Sequence, residues 1–324
     1  MSQPPSAPAP PPRTTLRPWI TCVVPAFNEA EGIAEFLREL SLHLSGLTDH
    51  FDVIVVDDGS NDRTSPEVLA VSGPLRLLTL SRNFGKEAAI SAGLEAADGE
   101  VVVIIDADFQ HPFPVIDEFI HHWQQGYDMV YAVPTEPSAN FPLRRHLRRL
   151  FYQILSRGAS IRIPQDAGDF RLLDRKVVGA LRRLPESNRF MKGLYSWVGF
   201  KSIGIPFTVE ERRASSSKFN FFKLFDLAVT GLTSFSNLPL RLWVGVGSII
   251  SILSILYALD ILVETLIFGN PLAGWATLVV ATTFLGGVQL LSIGILGEYL
   301  ARIFNEVKRR PNYLIAEKHG FPKE

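Results

Sequence analysis

VVVIIDADFQHP, residues 101–112, joins five consecutive β-branched residues to an acidic turn. An unbroken apolar run of this length reads as a strand covered on both faces, as in a parallel sheet packed between helices. Open α/β sheets place their ligands at the C-terminal ends of such strands, where this one delivers Asp106, Asp108 and Gln110. Alternation along an extended chain points the three side chains the same way. Two carboxylates and an amide suit a hard divalent cation, Mg2+ or Mn2+, that keeps positions for water and phosphate oxygens. Standing alone, the motif would read as a solvated acidic turn.

Outward from this stretch, strands and helices alternate. ITCVVP from Ile20, FDVIVV from Phe51 to Val56 and LRLLTL from Leu75 are strand-like, and YDMVYAV follows the central strand as a fifth. Between them lie a helix opened by Asn28-Glu29 with Ile33, Phe36, Leu37 and Leu40 on one face, a helix from Phe84 to Ala97, and a helix after Pro112. The spacing predicts an α/β domain with a doubly wound, mostly parallel sheet and helices on both faces. No G-x-G-x-x-G follows the first strand, which argues against a dinucleotide site. Successive strand ends carry Pro25-Ala26-Phe27-Asn28-Glu29, Asp57-Asp58-Gly59-Ser60, Ser81-Arg82-Asn83 and Asp106-Ala107-Asp108. Each cluster alone suits a cap or turn, and capping is the simpler role for Ser60-Asn61-Asp62. Together they would line one nucleotide-binding crevice, where Asp57 could accept from a base or ribose and Arg82 and Lys86 offset diphosphate charge.

The totals bound the alternatives. The chain of 324 residues has 32 basic and 33 acidic residues and a net charge of -1, so bulk charge suggests no nucleic-acid partner. Cys22 is the only cysteine, which excludes an internal disulfide and fits a reducing compartment. The seven histidines form no metal-ligand pattern. Residues 1–18, rich in Pro, Ala and Ser, lack the apolar run of a secretion signal and read as a disordered cytosolic tail.

The segments VVPAFNEAEGI, VVDDGSNDRT and DADFQHP resemble family-2 glycosyltransferases of the GT-A fold. More narrowly they are similar to polyprenyl-phosphate sugar transferases, the bactoprenol glucosyltransferases and dolichol-phosphate mannose synthase. SRNFGKEAAISAGL, DAGDFRLLDR and SFSNLPLRL extend the resemblance over roughly residues 20 to 313. It implies a Rossmann-like GT-A sheet, nucleotide contacts from Pro25, Asn28, Glu29 and Asp57, and a metal-diphosphate held by Asp106, Asp108 and Gln110. Asp58, Arg82 and Lys86 complete the expected nucleotide-sugar set. Arg212, Ser217 and Lys218 match the family's R-x-x-G-x-S-K-Y segment, with Ser215 in place of the glycine and Phe219 in place of the tyrosine.

The DAGDF segment offers Asp166 and Asp169 beside Gly168, and the likeness marks this motif as catalytic, with Asp169 preferred. Asp108 joins them as a catalytic candidate through its metal role. Capping, or an ion pair with Arg171 or Arg175, is the competing role for the pair. Upstream, FPLRRHLRRLFYQILSR (141–157) repeats apolar residues at helical spacing with arginines on its flanks, the pattern of a basic helix on an anionic membrane or a phosphate. Arg144, Arg148 and Arg212 are thus candidates to hold an acceptor phosphate through bidentate contacts.

The last quarter is far more apolar. The expected organisation is a catalytic domain over 19–215, interfacial amphipathic helices over 216–238, a two-span transmembrane hairpin over 239–300 and a cytosolic C-terminal tail over 301–324. LWVGVGSIISILSILYAL and the run from Trp275 to Leu296 each approach the ~20 apolar residues a bilayer core requires. Lys308, Arg309 and Arg310 follow the second span, Arg241 precedes the first, and the connecting loop has no Lys or Arg. By the positive-inside rule both termini lie in the cytoplasm, the catalytic domain with them, at the inner membrane. Gly286, Gly287, Gly294 and Gly297 are small enough for close helix packing, including between protomers of a homo-oligomer.

The expected reaction is inverting transfer of a hexose from a nucleotide diphosphate sugar to undecaprenyl or another polyprenyl phosphate, for a cell-envelope glycan. UDP-glucose is the leading donor by likeness, with UDP-amino sugars and GDP-mannose as alternatives. A processive polysaccharide synthase would carry a Q-x-x-R-W motif, and this chain has no Arg-Trp pair. A membrane-tethered nucleotide-sugar-binding scaffold is the non-enzymatic reading, against which the intact acidic clusters speak.

Overall fold

The computed structural model describes residues 17–135, 168–186, 189–208 and 274–322, with Arg13, Thr15 and isolated positions between 249 and 267. Within these, eight strands form one sheet in the order β7-β5-β6-β4-β1-β2-β3-β8. In chain order they are β1 Ile20–Ala26, β2 Phe51–Asp57, β3 Leu75–Leu80, β4 Val101–Ile104, β5 Met129–Pro134, β6 Arg171–Asp174, β7 Ser202–Phe207 and β8 Ile315–His319. The helices are α1 Ile33–Leu47, α2 Thr64–Leu69, α3 Lys86–Ala96, α4 Val115–Gln124, α5 Arg175–Arg182, α6 Met191–Trp197 and α7 Trp275–Val307.

β4 sits at the centre, parallel to β1, and all four of its residues are buried. One face of the sheet packs on α1, α2 and α4 through Phe36, Leu40, Val68 and Phe119; the other packs on α3, α5 and α6 through Ile90, Val177, Leu181 and Leu194. Burial on both sides explains the continuous apolar runs, each buried aliphatic side chain contributing about 1.5–3 kcal/mol. Gly93 brings α3 close: a Cβ there would overlap the Val23 side chain.

The four strand ends foreseen as a crevice do meet, through parallel β3-β2-β1-β4. Several details differ from expectation. α1 starts at Ile33 rather than at Asn28-Glu29, because Asn28 adopts a left-handed conformation (φ 55°) and is tied to the next strand end. Its N–H donates to Ser60 Oγ (2.9 Å), and its Oδ1 accepts from Asn61 N–H (2.9 Å). β4 stops at Ile104, not Ile105, although the Ile105 N–H still reaches Val23 O (3.1 Å). Asp106, Asp108 and Gln110 therefore lie on a turn, in which Phe109 is left-handed (φ 59°), and pleat alternation does not set their directions.

β6 and β8 run antiparallel to their neighbours, β6 between β4 and β5 and β8 on β3. β8 comes from the segment expected as a tail. It is followed by Phe321, whose ring lies under the Arg76 guanidinium at 4.9 Å, and preceded by Asn312, which donates to Glu186 O (3.1 Å). At the other end of the chain Arg13, inside the expected disordered tail, pairs with Asp128 (2.8 Å) and Asp174 (3.0 Å) over the Trp123 ring.

Among the described residues one helix is long and apolar enough to cross a membrane. The window Phe284–Ala301 of α7 has a mean hydropathy of 1.4, and none of it is buried. With 33 residues α7 is about 50 Å long, longer than a ~30 Å hydrocarbon core. The helices expected over 141–157 and 216–238 lie outside the described residues, as does the first span apart from isolated helical positions.

Candidate active site

The loops after β1 and β2 are laced together before any ligand is considered. The Glu29 N–H donates to Thr64 Oγ1 (2.9 Å) and the Ala30 N–H to Asp62 Oδ2 (3.2 Å), while Thr64 is itself held by Asp62. Pro25 lies beyond the β1–β4 ladder, which ends at Val23, so its missing N–H costs no bond there. Asp57 and Asp58 are buried. Asp57 accepts from Ser60 N–H (2.9 Å) and the Ser65 hydroxyl. Asp58 accepts from the N–H groups of Phe84 (2.7 Å) and Gly85 (2.8 Å), clamping the end of β2 to the loop that opens α3. Burial raises the Asp58 carboxyl more than those two bonds lower it. Both carboxylates thus hold the loops after β2 and before α3 in place. Gly59 (φ 66°) permits the approach, since a Cβ would overlap the Arg82 backbone. Arg82 is exposed and stacks on Phe84 at 4.0 Å.

Lys86, the first residue of α3, gathers the centre. Its ammonium lies 2.8 Å from Asp106 and 2.9 Å from Asp169 Oδ2, although the three residues come from separate elements. His111 Nε2 is 3.7 Å from Asp106, and its ring packs 4.7 Å from that of Phe170. Burial would raise Asp106, but His111 and the Lys86 charge outweigh it and hold the carboxyl well below the usual range. Burial opposes ionisation of Asp169 too, and Lys86, Lys192 and Arg171 outweigh it, lowering its pKa. Lys86 in turn is depressed by burial and raised further by its two carboxylates, ending well above an ordinary lysine. All three are charged at neutral pH.

Behind them lies a layer of which the sequence named only Arg171, as an ion-pair candidate for the DAGDF carboxylates. Arg171 of β6 is buried, donates to Gly168 O and lies 3.6 Å above the Tyr195 ring. Asp169 Oδ1, Arg171 Nε and the Tyr195 hydroxyl have no hydrogen-bond partner among the described residues. Glu87 accepts from the Met191 N–H (3.0 Å) and is pushed up to about 7 by burial and then by the charge of Asp169. Arg175, weighed as a partner for the DAGDF carboxylates, instead reaches Asp98 O (2.6 Å). Nothing in the sequence marked Glu87 or Tyr195.

The donor set fits a hard divalent cation in kind. Asp106 is ionised, Asp108 accepts the Gln110 N–H (3.2 Å) on the same turn, and two carboxylates with an amide leave positions for phosphate oxygens. Among the described residues no three His, Cys, Asp or Glu side chains converge as a cage.

The profile of Glycosyl transferase family 2 matches residues 21–182. A bactoprenol glucosyl transferase of Shigella flexneri, prophage-derived, is 44% identical over 303 residues, covering 93% of this chain and 98% of that protein. The chain belongs to glycosyl transferase family 2. A prophage bactoprenol glucosyl transferase homolog of Escherichia coli is 41% identical over 299 residues (91% of this chain, 98% of that protein). The uncharacterized glycosyltransferase sll0501 of Synechocystis is 42% identical over 304 residues (93% and 96%). Among solved structures, glucosyl-3-phosphoglycerate synthase of Mycobacterium tuberculosis, in complex with Mn2+, UDP-glucose and phosphoglyceric acid, aligns with a TM-score of 0.45 at 19% identity, covering 70% of this chain and 86% of that one.

In this family 2 glycosyltransferase, the described residues bring Lys86, Asp106 and Asp169 to one point and place Asp108 and Gln110 on the adjoining turn. Asp166, Arg144, Arg148, Arg212, Ser217 and Lys218 lie outside the described residues.

Proposed function

We propose that this glycosyltransferase moves glucose from UDP-glucose to the phosphate of a membrane polyprenol at the cytoplasmic face of the inner membrane. The observation that carries the reading is the Lys86 bridge, which joins the DADFQ turn after β4 to Asp169 in the loop leading into β6. Relatives named bactoprenol glucosyl transferase, matched over nearly their whole length, support the lipid acceptor, and the exposed apolar α7 supports membrane attachment.

The chain's own residues divide the work. Asp106, Asp108 and Gln110 would hold Mg2+ or Mn2+, which when bound supplies charge stabilisation to the departing diphosphate. Pro25, Asn28 and Glu29 border the nucleotide crevice, with Asp57 and Asp58 fixing its wall. Lys86 and Arg82 add positive charge near the diphosphate. A phosphate monoester has a second pKa near ~6, so the acceptor is already mostly a dianion at neutral pH. Asp169, kept charged by Lys86 and Arg171, orients the attack on the anomeric carbon rather than serving as a strong base. Direct displacement inverts that centre. Arg144, Arg148, Arg212, Ser217 and Lys218 are the proposed acceptor-phosphate contacts, and Asp166 the second carboxylate of the catalytic motif.

Sealed inside-out membrane vesicles, supplied with a panel of labelled nucleotide sugars and undecaprenyl phosphate, test donor, acceptor and face together. Label is expected in the lipid fraction from UDP-glucose only, and only in inside-out vesicles. Transfer from a UDP-amino sugar or GDP-mannose would replace the donor, and labelling of right-side-out vesicles would reverse the face.

A further inference from the structure

Tyr195 of α6 is buried, and the Arg171 guanidinium lies over its ring with 3.6 Å between the guanidinium carbon and the ring centre. Arg171 opens β6, where it sits between Ile104 at the end of β4 and Tyr131 of β5. One end of its fork donates to Gly168 O, the carbonyl of the peptide that delivers Asp169. The other end meets the Met129 sulfur at 3.6 Å, a weak acceptor, and Nε has no partner among the described residues. A buried cation with so few hydrogen bonds needs compensation of another kind. The π-face of Tyr195 supplies it, and a flat guanidinium stacked on that face holds its fork in one plane. The phenol hydroxyl takes no part, having no hydrogen-bond partner among the described residues. Asp169 is thus gripped from two sides: Lys86 lies 2.9 Å from its Oδ2, and Arg171 holds the peptide before it. α3 governs both grips, since it carries Lys86 and is tied to α6 by the Met191 N–H on Glu87 (3.0 Å).

We propose that Tyr195 is a positioning residue for the transfer: its ring sets the plane of Arg171, whose fork fixes the peptide leading into Asp169 and so the aim of that carboxylate at the anomeric carbon. The inference rests on the reading of Asp169 given above and extends it to a residue of another element. The ring carries the effect, and the hydroxyl does not. Tyr195 and Arg171 are both buried, so neither meets the donor. Loss of the platform therefore acts on the rate of attack and leaves donor affinity in place.

Initial rates of transfer from UDP-glucose to undecaprenyl phosphate, measured with Mg2+ on the full chain in detergent, test this in a double-mutant cycle. Tyr195→Leu should lower kcat about tenfold or more, since a misplacement of about 1 Å near the reacting centre can cost about a hundredfold. The KM for UDP-glucose should stay within about threefold. Tyr195→Phe keeps the ring and should restore the rate to within about twofold. In an Asp169→Asn background, Tyr195→Leu should lower the residual rate by no more than about twofold, because a residue that acts through the Asp169 carboxylate then has nothing to aim. Arg171→Lys keeps the charge, loses the flat fork and should reproduce both the fall and its absence in the Asp169→Asn background. It answers the question should Tyr195→Leu not fold. An unchanged kcat, a rise in KM alone, equal losses in both backgrounds, or Tyr195→Phe as slow as Tyr195→Leu overturns the role of Tyr195 alone. Undiminished transfer by Asp169→Asn, or none by the unaltered chain, overturns the reading of Asp169 and this inference with it.

Discussion

Glu87 and Lys86 are adjacent in sequence and opposite in electrostatic fate. Lys86 gains two carboxylate partners and is charged more firmly than in water, whereas Glu87 is half-buried near the charge of Asp169 and gives up its charge more readily. A carboxyl whose pKa is higher in the folded state binds more protons there than in the unfolded chain. From its ordinary value of 4.5 up to about 7, rising pH therefore favours unfolding through this group, and the cost is complete above that window. Glu87→Gln should accordingly raise the thermal midpoint at about pH 8 and change it little near about pH 4.5, as read by a detergent-compatible melt. A gain that is the same at both values would contradict the burial argument. The acidic turn was legible at this scale because DAD after an apolar run is a local pattern. The partnership of Lys86 with Asp169 was not, since 83 positions separate them and only the folded chain brings the start of α3 to the residue two before β6.

The parallel core was readable from β1 to β5 because strands buried on both faces leave continuous apolar runs. β8 left no such trace: IAEKH is an edge strand, exposed along its whole length, so its sequence has no reason to be apolar. β6 was hidden differently, as four residues attached to a catalytic-looking motif. The start of α1 was misplaced because Asn-Glu resembles a cap, while Asn28 is committed to the β2 loop. That lacing makes the junction of loops sensitive at Gly59. Its φ of 66° and the Arg82 backbone against its Cβ direction leave no room for a side chain. Gly59→Ala should cost about 2 kcal/mol or more, measured as a shift in denaturant midpoint, with loss of donor affinity. A neutral substitution would show that the two strand ends do not close on one another.

The molecule combines polar, charged loops at the ends of parallel strands with a long, exposed apolar helix whose continuation returns to the same sheet. After α7 ends at Val307 the chain pairs β8 with β3, and the Ser81 N–H just past β3 donates to Leu314 O (2.9 Å). The segment that leaves the apolar helix is thereby joined to the strand next to β2, whose end carries Asp57 and Asp58. This continuity gives a water-soluble donor and a lipid-borne phosphate a common meeting place in the proposed reaction. The most direct measurement is transfer of labelled glucose from UDP-glucose into undecaprenyl phosphate by the purified chain, beside Asp106→Asn and Asp169→Asn. The unaltered protein should label the lipid, and each variant should fall by at least about a hundredfold, the scale for removing a group that stabilises or orients charge at the reacting centre. Lipid labelling that persists undiminished in both variants, or that never occurs, would contradict the account.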